Sequence, residues 1–401
     1  MTYHINMSNE NETTNKPLSF DTWEDEHVTL KKNLLRGIYA YGFEKPSAIQ
    51  QRSILSIIKG NDVIAQAQSG TGKTGAFVVG ALQSIDTEVD VAQVLILSPT
   101  RELATQNCEV TTSLGSILKV KTQLLIGGTS TDTDREKLLN DTPHIVVGCP
   151  GRVQDMLRRG HLSCAGIKLL ILDEADEMLS AGFKEQVYNI FQFMKNNIQV
   201  CLYSATMPPE LNALTEKFMR DPVKILVKSE MLTLEGISQY KVCLDNDQYK
   251  YTAVKDLFNS IAISQCIIYC NSVKRVQDLT DAMKQDGFPV LCIHSGMDVS
   301  ERAQNFSDFK KGTSRVLISS DVTARGIDIQ QVSVVINFDV PNNKHTYLHR
   351  IGRGGRYGRK GLAINFVTRR DVPKMKEIEE WYQTTIPDLP SDFVDNVRSG
   401  N

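Results

Sequence analysis

Two short segments carry residues whose types and order could do phosphate chemistry. The first is Ala67-Gln68-Ser69-Gly70-Thr71-Gly72-Lys73-Thr74, which follows an apolar run and precedes Gly75-Ala76-Phe77-Val78-Val79, a helical pattern. Glycines let a loop bring its backbone N–H groups against an anion, and the N-terminus of the next helix adds a favourable dipole. Lys73 would neutralise the outer phosphates of a nucleotide, and the Thr74 hydroxyl would hold Mg²⁺. A plain turn accounts for the glycines but not for the Lys-Thr pair after them. The strict form of this loop begins with Gly, and Ala67 departs from it. The second segment, Asp173-Glu174-Ala175-Asp176, comes directly after Leu169-Leu170-Ile171-Leu172. An acid at a strand end, here Asp173, can hold Mg²⁺, and its neighbour Glu174 can take the proton of an attacking water. Alone, such acids are more often a solvated helix start. Beside a phosphate loop they are its expected partner.

A third candidate is basic. Arg350, Arg353, Arg356 and Arg359 recur among glycines, and no Asp or Glu occurs from Val340 to Arg370. Net charge is only −2, so a polyanion must bind in one place, not over a general surface. Eight cysteines are scattered; Cys266 and Cys270 lie close together in an apolar run, with no second pair to complete a zinc site. Buried free thiols in a reducing compartment, cytosol or nucleus, are expected.

The elements that must position these residues are short strands. With 401 residues, 41% of them apolar, the chain suits two domains, each with a core. No run approaches the roughly 18 apolar residues of a membrane-spanning helix, so no membrane association is expected. Residues 1–19 are read as a disordered polar tail without a secretory signal. In the first half, apolar runs occur at Asp62–Ala65, Val94–Leu97, Ile145–Val147, Leu169–Leu172 and Val200–Tyr203. In the second they occur at Cys266–Tyr269, Val290–Ile293, Val316–Ile318, Val334–Ile336 and Ala363–Phe366. Such runs, alternating with helical patterns, indicate parallel strands buried on both faces. The fold class is therefore α/β, two tandem doubly wound parallel-sheet domains. Residues 20–227 form the first and 238–401 the second, with a short hinge at 228–237. Ligands of such sheets bind beyond the carboxyl ends of the strands, and the candidate residues all follow a strand.

Taken in order, AQSGTGKT, PTRELA, DEAD, SAT, ARGID and HRIGRGGR resemble the motifs of the DEAD-box RNA helicases of superfamily 2. The likeness runs from about Phe20 to Phe366, and Ala67 is normal in that family. It implies two RecA-like domains, ATP and Mg²⁺, and unwinding driven by ATP hydrolysis. It also implies individual roles. Lys73, Asp173, Glu174 and the finger-like Arg353 and Arg356 would be catalytic. Gln68, Ser69, Gly70, Thr71 and Gly72 would cradle phosphates, with Asp328 near the ribose and Gln50 reading the adenine edge. Ser204, Thr206, Asp176 and His349 would couple the domains. Pro99, Thr100, Arg101, Gly128, Gly151 and Arg152, with Asn271 and Ser320 of the second domain, would line one RNA strand without reading its sequence. In this sequence the segments at Pro99–Ala104, Gly127–Gly128 and Pro150–Arg152 sit where a strand or loop gives way to a helix, a good phosphate cradle.

The resemblance has gaps. Cys149 stands where Thr is usual, Val299 where Gln is usual and Ser320 where Thr is usual. The family's adenine-stacking aromatic also lies closer to its Gly-Phe than Phe20 does here, with 21 residues between Phe20 and Gly42 and 18 between Trp23 and Gly42. The local string Ser19-Phe20-Asp21 favours Phe20. Glu24–Val28 would then be looped out and Trp23 left on the domain surface. Within the family, YGFEKPSAIQ, LDEADEMLSAGFKEQ and TLEGI resemble the translation-initiation branch. That branch implies a cytoplasmic chain, monomeric when isolated, with an initiation-complex scaffold and cap-binding partners. An exon-junction clamp, partly nuclear, is the alternative.

Overall fold

Apolar runs of four residues become strands of about that length in a computed structural model of the chain. The structure describes residues 20–67, 70–180, 182–225, 237–260, 264–323, 332–352 and 361–390. Gln68, Ser69, Asp328, Arg353 and Arg356, expected site residues, lie outside the described residues, as do the tail 1–19 and all of the hinge 228–237 except Ile237. The first domain contributes β1 (Val63–Gln66), β2 (Val94–Leu97), β3 (Thr122–Leu125), β4 (Ile145–Gly148), β5 (Leu169–Asp173), β6 (Gln199–Ser204) and β7 (Val223–Ile225). The second contributes β8 (Ile237–Leu244), β9 (Cys266–Tyr269), β10 (Val290–Ile293), β11 (Val316–Ser319), β12 (Val334–Asn337) and β13 (Gly361–Thr368). Every pairing among them is parallel.

Both faces of each sheet are covered, which is why the strands read as unbroken apolar runs. In β2, Val94 and Ile96 enter one core cluster while Leu95 and Leu97 enter the other. In β9, Cys266 and Ile268 are divided in the same way from Ile267 and Tyr269. Burying one such aliphatic side chain contributes roughly 1.5–3 kcal/mol. The cysteines among the described residues are all unpaired, and burial holds the Cys266 thiol well above its ordinary range.

Three strands escape the apolar-run criterion. β3, β7 and β8 lie at sheet edges, and half-covered positions accept polar residues. β8 begins at Ile237, which pairs with Gly361, so the expected hinge ran one residue too far.

The strand order decides which loops meet. The first sheet runs β3-β4-β2-β5-β6-β1-β7. β6 lies between β5 and β1, so the phosphate loop after β1, the acids at the end of β5 and Ser204 at the end of β6 share one half of the carboxyl edge. β2, β4 and β3 carry Pro99, Cys149 and Gly127 on the other half. The second sheet runs β10-β11-β9-β12-β13-β8, and its β9 and β11 lead into Asn271 and Ser320.

Candidate nucleotide site and nucleic-acid cleft

The phosphate loop turns on glycines that no other residue could replace without strain. Gly70 and Gly72 have φ of +82° and +96°, left-handed conformations that Cβ disfavours. A Cβ on Gly72 would also sit 2.7 Å from Ser47 Oγ and 2.9 Å from Gln50 Nε2. Gln50 is buried against this loop: its Oε1 accepts from the Ser47 N–H at 2.8 Å and its Nε2 donates to the Gly72 carbonyl at 3.2 Å. Lys73 opens the helix Lys73–Ser84. Its Nζ donates to the Ala67 carbonyl at 2.9 Å and lies 3.4 Å from Glu174 Oε1, so an ammonium is held where phosphates would face the loop.

Glu174 adopts φ +50°, a backbone state that costs a non-glycine residue about 1–3 kcal/mol and clusters at functional sites. That turn aims its carboxylate at Lys73. Asp173 is buried, and burial, followed by the neighbouring Glu174 charge, pushes its carboxyl well above the usual carboxylate range. A cation at this point would restore its charge.

Ser204, Thr206, Asp176 and His349, the residues expected to couple the domains, form a chain of contacts across the domain boundary. Ser204 Oγ donates to the Thr206 carbonyl at 2.7 Å, Thr206 Oγ1 donates to Asp176 Oδ2 at 2.5 Å, and His349 Nε2 lies 3.3 Å from the same Oδ2. His349 Nδ1 is 4.0 Å from Glu174 Oε2. One histidine of the second domain thus meets two acids of the first.

A cavity of about 760 Å³ opens between the domains, and Pro99, Thr100, Arg101, Gly151, Arg152, Asn271 and Ser320 all line it. Gly128 lies beside it with φ +89°, and a Cβ there would come within 2.3 Å of Val299 Cγ2. Thr100 caps the helix Arg101–Gly115, accepting from the Leu103 N–H at 3.3 Å. Arg152 is fixed by Asp134 and by the Thr129 carbonyl, which holds its guanidinium at the cleft wall. Cys149 lines the same cavity; burial pushes its thiol up to about 12, so it stays neutral, as a hydroxyl would.

Several residues the sequence reading passed over are as central. Glu102 and Arg302, 8% and 6% exposed, form a two-pronged ion pair between the domains. Arg350, taken only as part of a basic run, is fully buried. It donates to Asn271 Oδ1 and the Asp339 carbonyl, each at 2.7 Å, and to Asp321 Oδ1 at 2.6 Å, holding Asn271 at the cleft. The described basic residues of that run do not share a face. Lys344 lies over the Trp381 ring at 3.3 Å, and Arg369 is exposed beside Asp245.

Trp23 also corrects an expectation. It is 1% exposed, not a surface residue. Its ring stacks on Phe43 at 6.4 Å, and Phe20 packs 5.9 Å from it. Val28, within the supposedly looped-out stretch, is buried too. A large indole and an aliphatic side chain gain too much from burial to stay in water.

Two family models match this chain: the DEAD/DEAH box helicase model over residues 47–214 and the helicase conserved C-terminal domain over residues 249–358. The chain belongs to the DEAD/DEAH box helicase family. It is 54% identical over 366 residues to the ATP-dependent RNA helicase eIF4A of Kluyveromyces lactis, covering 91% of this chain and 92% of that one. With the protein of the same name from Pyricularia oryzae it is 52% identical over 372 residues, covering 93% and 94%. Among solved structures, Saccharomyces cerevisiae Dbp5 bound to RNA and ADP BeF3 matches with a TM-score of 0.87 at 33% identity, over 94% of this chain and 98% of that one. A Dbp5 variant bound to Nup159, Gle1, IP6 and ADP matches with a TM-score of 0.63 at 32% identity, over 92% and 98%. The two domains here are therefore arranged more nearly as in the RNA-bound relative.

Proposed function

We propose that this chain is an ATP-dependent RNA helicase of translation initiation that works as an ATP-gated clamp. The observation that carries the reading is the 760 Å³ cavity, because residues from both domains line it together. Domain closure therefore builds the RNA site. ATP would lie between the phosphate loop and the second domain's arginines, with Lys73 on its outer phosphates. Glu174 would position and deprotonate the attacking water, and loss of the γ-phosphate would release the domains. A strand held by backbone contacts on one side cannot keep its complement, so unwinding is local. The high identity to relatives named eIF4A favours initiation over an exon-junction role, with a cytoplasmic chain, an initiation-complex scaffold and cap-binding partners. No described helix is long and apolar enough to cross a membrane.

The residues fit a magnesium ion. Asp173 and Thr74 offer a carboxylate and a hydroxyl, the oxygen donors a hard cation takes, and both are hydrogen-bonded to one buried side chain, that of Asn107. When bound, Mg²⁺ would offset charge on the β- and γ-phosphates.

The clamp is tested by RNA binding with and without a non-hydrolysable ATP analogue. Affinity for single-stranded RNA should rise at least tenfold with the analogue. A strand contacted at about five phosphates should show a log–log salt slope near roughly −3.5. Equal RNA affinity in the two conditions would refute the clamp. For the adenine, Phe20→Ala should weaken ATP binding roughly threefold to tenfold, the worth of one aromatic contact of about 0.5–1.5 kcal/mol. A selective loss in Trp23→Ala instead would assign the base to the indole.

A further inference from the structure

Asn107 is a polar residue in an apolar slot. On the helix Arg101–Gly115, Leu103, Asn107, Val110 and Leu114 are all buried and recur at helical spacing on the side facing the core. Asparagine is a mediocre helix former, and a buried amide is costly unless its hydrogen bonds are made. Asn107 is 0% exposed, and its amide is used at both ends. Its Nδ2 donates to Asp173 Oδ2 at 2.8 Å and to Ser98 Oγ at 3.0 Å, while its Oδ1 accepts from Thr74 Oγ1 at 3.3 Å. With a cation bound, Asp173 is a carboxylate that can only accept, so the amide presents its Nδ2 end to it.

We infer that Asn107 is a positioning residue for the metal of the nucleotide site, one that holds Asp173 and Thr74 in register. The inference rests on the reading of those two residues as the Mg²⁺ holders. Asp173 Oδ1 already accepts from the Glu174 N–H at 3.0 Å, so Asn107 supplies the second restraint and leaves the carboxylate one orientation. Thr74 comes from the phosphate loop's helix and Asp173 from β5. Asn107 is a side chain hydrogen-bonded to both. The same helix begins at the cleft, where Thr100 and Arg101 line the cavity and Glu102 meets Arg302.

Groups that orient metal ligands in this way typically account for 10–100-fold in metal affinity. The test is a MgCl₂ titration of fluorescent ADP binding to the full chain, alongside the same binding in EDTA. In Asn107→Leu, which keeps the branching and heavy-atom count of the side chain but none of its polar atoms, half of the Mg²⁺-dependent gain in affinity should need roughly 10–100-fold more Mg²⁺, with binding in EDTA unchanged. Asn107→Ala should behave alike, and serves if leucine prevents folding. Titrations that superimpose on that of the unmodified protein would overturn the assignment, as would an equal loss with and without Mg²⁺, the mark of a structural role. If the unmodified protein itself shows no Mg²⁺ response, the metal reading falls and this inference with it.

Discussion

Glu174→Gln should leave ATP bound and hydrolysis almost abolished. The substitution keeps the shape of a buried side chain whose backbone sits at φ +50°, so the turn that aims it is not disturbed. What it removes is the charge that faces Lys73 at 3.4 Å and the capacity to accept a proton. Neither is needed to bind nucleotide: the loop glycines, Lys73 and the metal holders remain, and Lys73 keeps its bond to the Ala67 carbonyl. A general base contributes roughly 10²–10⁴-fold to rate, and the steady-state hydrolysis rate should fall within that range while ATP affinity stays near wild type. Because the γ-phosphate then persists, the variant should also dissociate from RNA more slowly. Hydrolysis within a few-fold of wild type would remove Glu174 from the mechanism.

Glu174 could be found in the sequence because its chemistry is local. It follows an apolar strand and an acid, and a loop of the right composition occurs earlier in the chain. The same holds for the strands buried on both faces, whose runs such as Leu169–Leu172 leave little choice of structure. The edge strands β3 and β8 were lost because half-exposed positions carry no unbroken run. What the sequence hides is adjacency. Nothing in the order of the motifs says that β6 lies between β5 and β1, which is what brings Ser204 and Thr206 to Asp176. Arg350 reads as one more cation in a basic loop, yet its partners Asn271, Asp321 and the Asp339 carbonyl come from three other segments. Trp23 was misjudged because its neighbours in the chain are acidic, whereas its neighbours in space are Phe20 and Phe43.

The pair least visible in the sequence gives the second large effect. Glu102 and Arg302 are 200 residues apart, and each alone would pass for a surface charge. In the structure both are buried, and Val299 packs its Cγ2 against Gly128 one turn from Arg302. At 8% and 6% exposure the two charges have few other partners, so each depends on the other. Arg302→Ala would leave Glu102 buried and unpaired whenever the domains close. Breaking one side of such a pair costs about 2–5 kcal/mol, roughly 30-fold to several-thousand-fold on the closing equilibrium. Affinity for RNA in the presence of a non-hydrolysable ATP analogue should fall accordingly. Its floor is the affinity measured without the analogue, which should not change, since the open protein lets water reach both side chains. Glu102→Ala should match it. The double variant Glu102→Leu, Arg302→Met separates this account from simple loss of contact. Replacing a whole buried ion pair by apolar side chains of similar size is often neutral, so the double variant should bind RNA more tightly than either single one. If its loss equals the sum of the two single losses, the pair is not coupled and closure is held by other contacts.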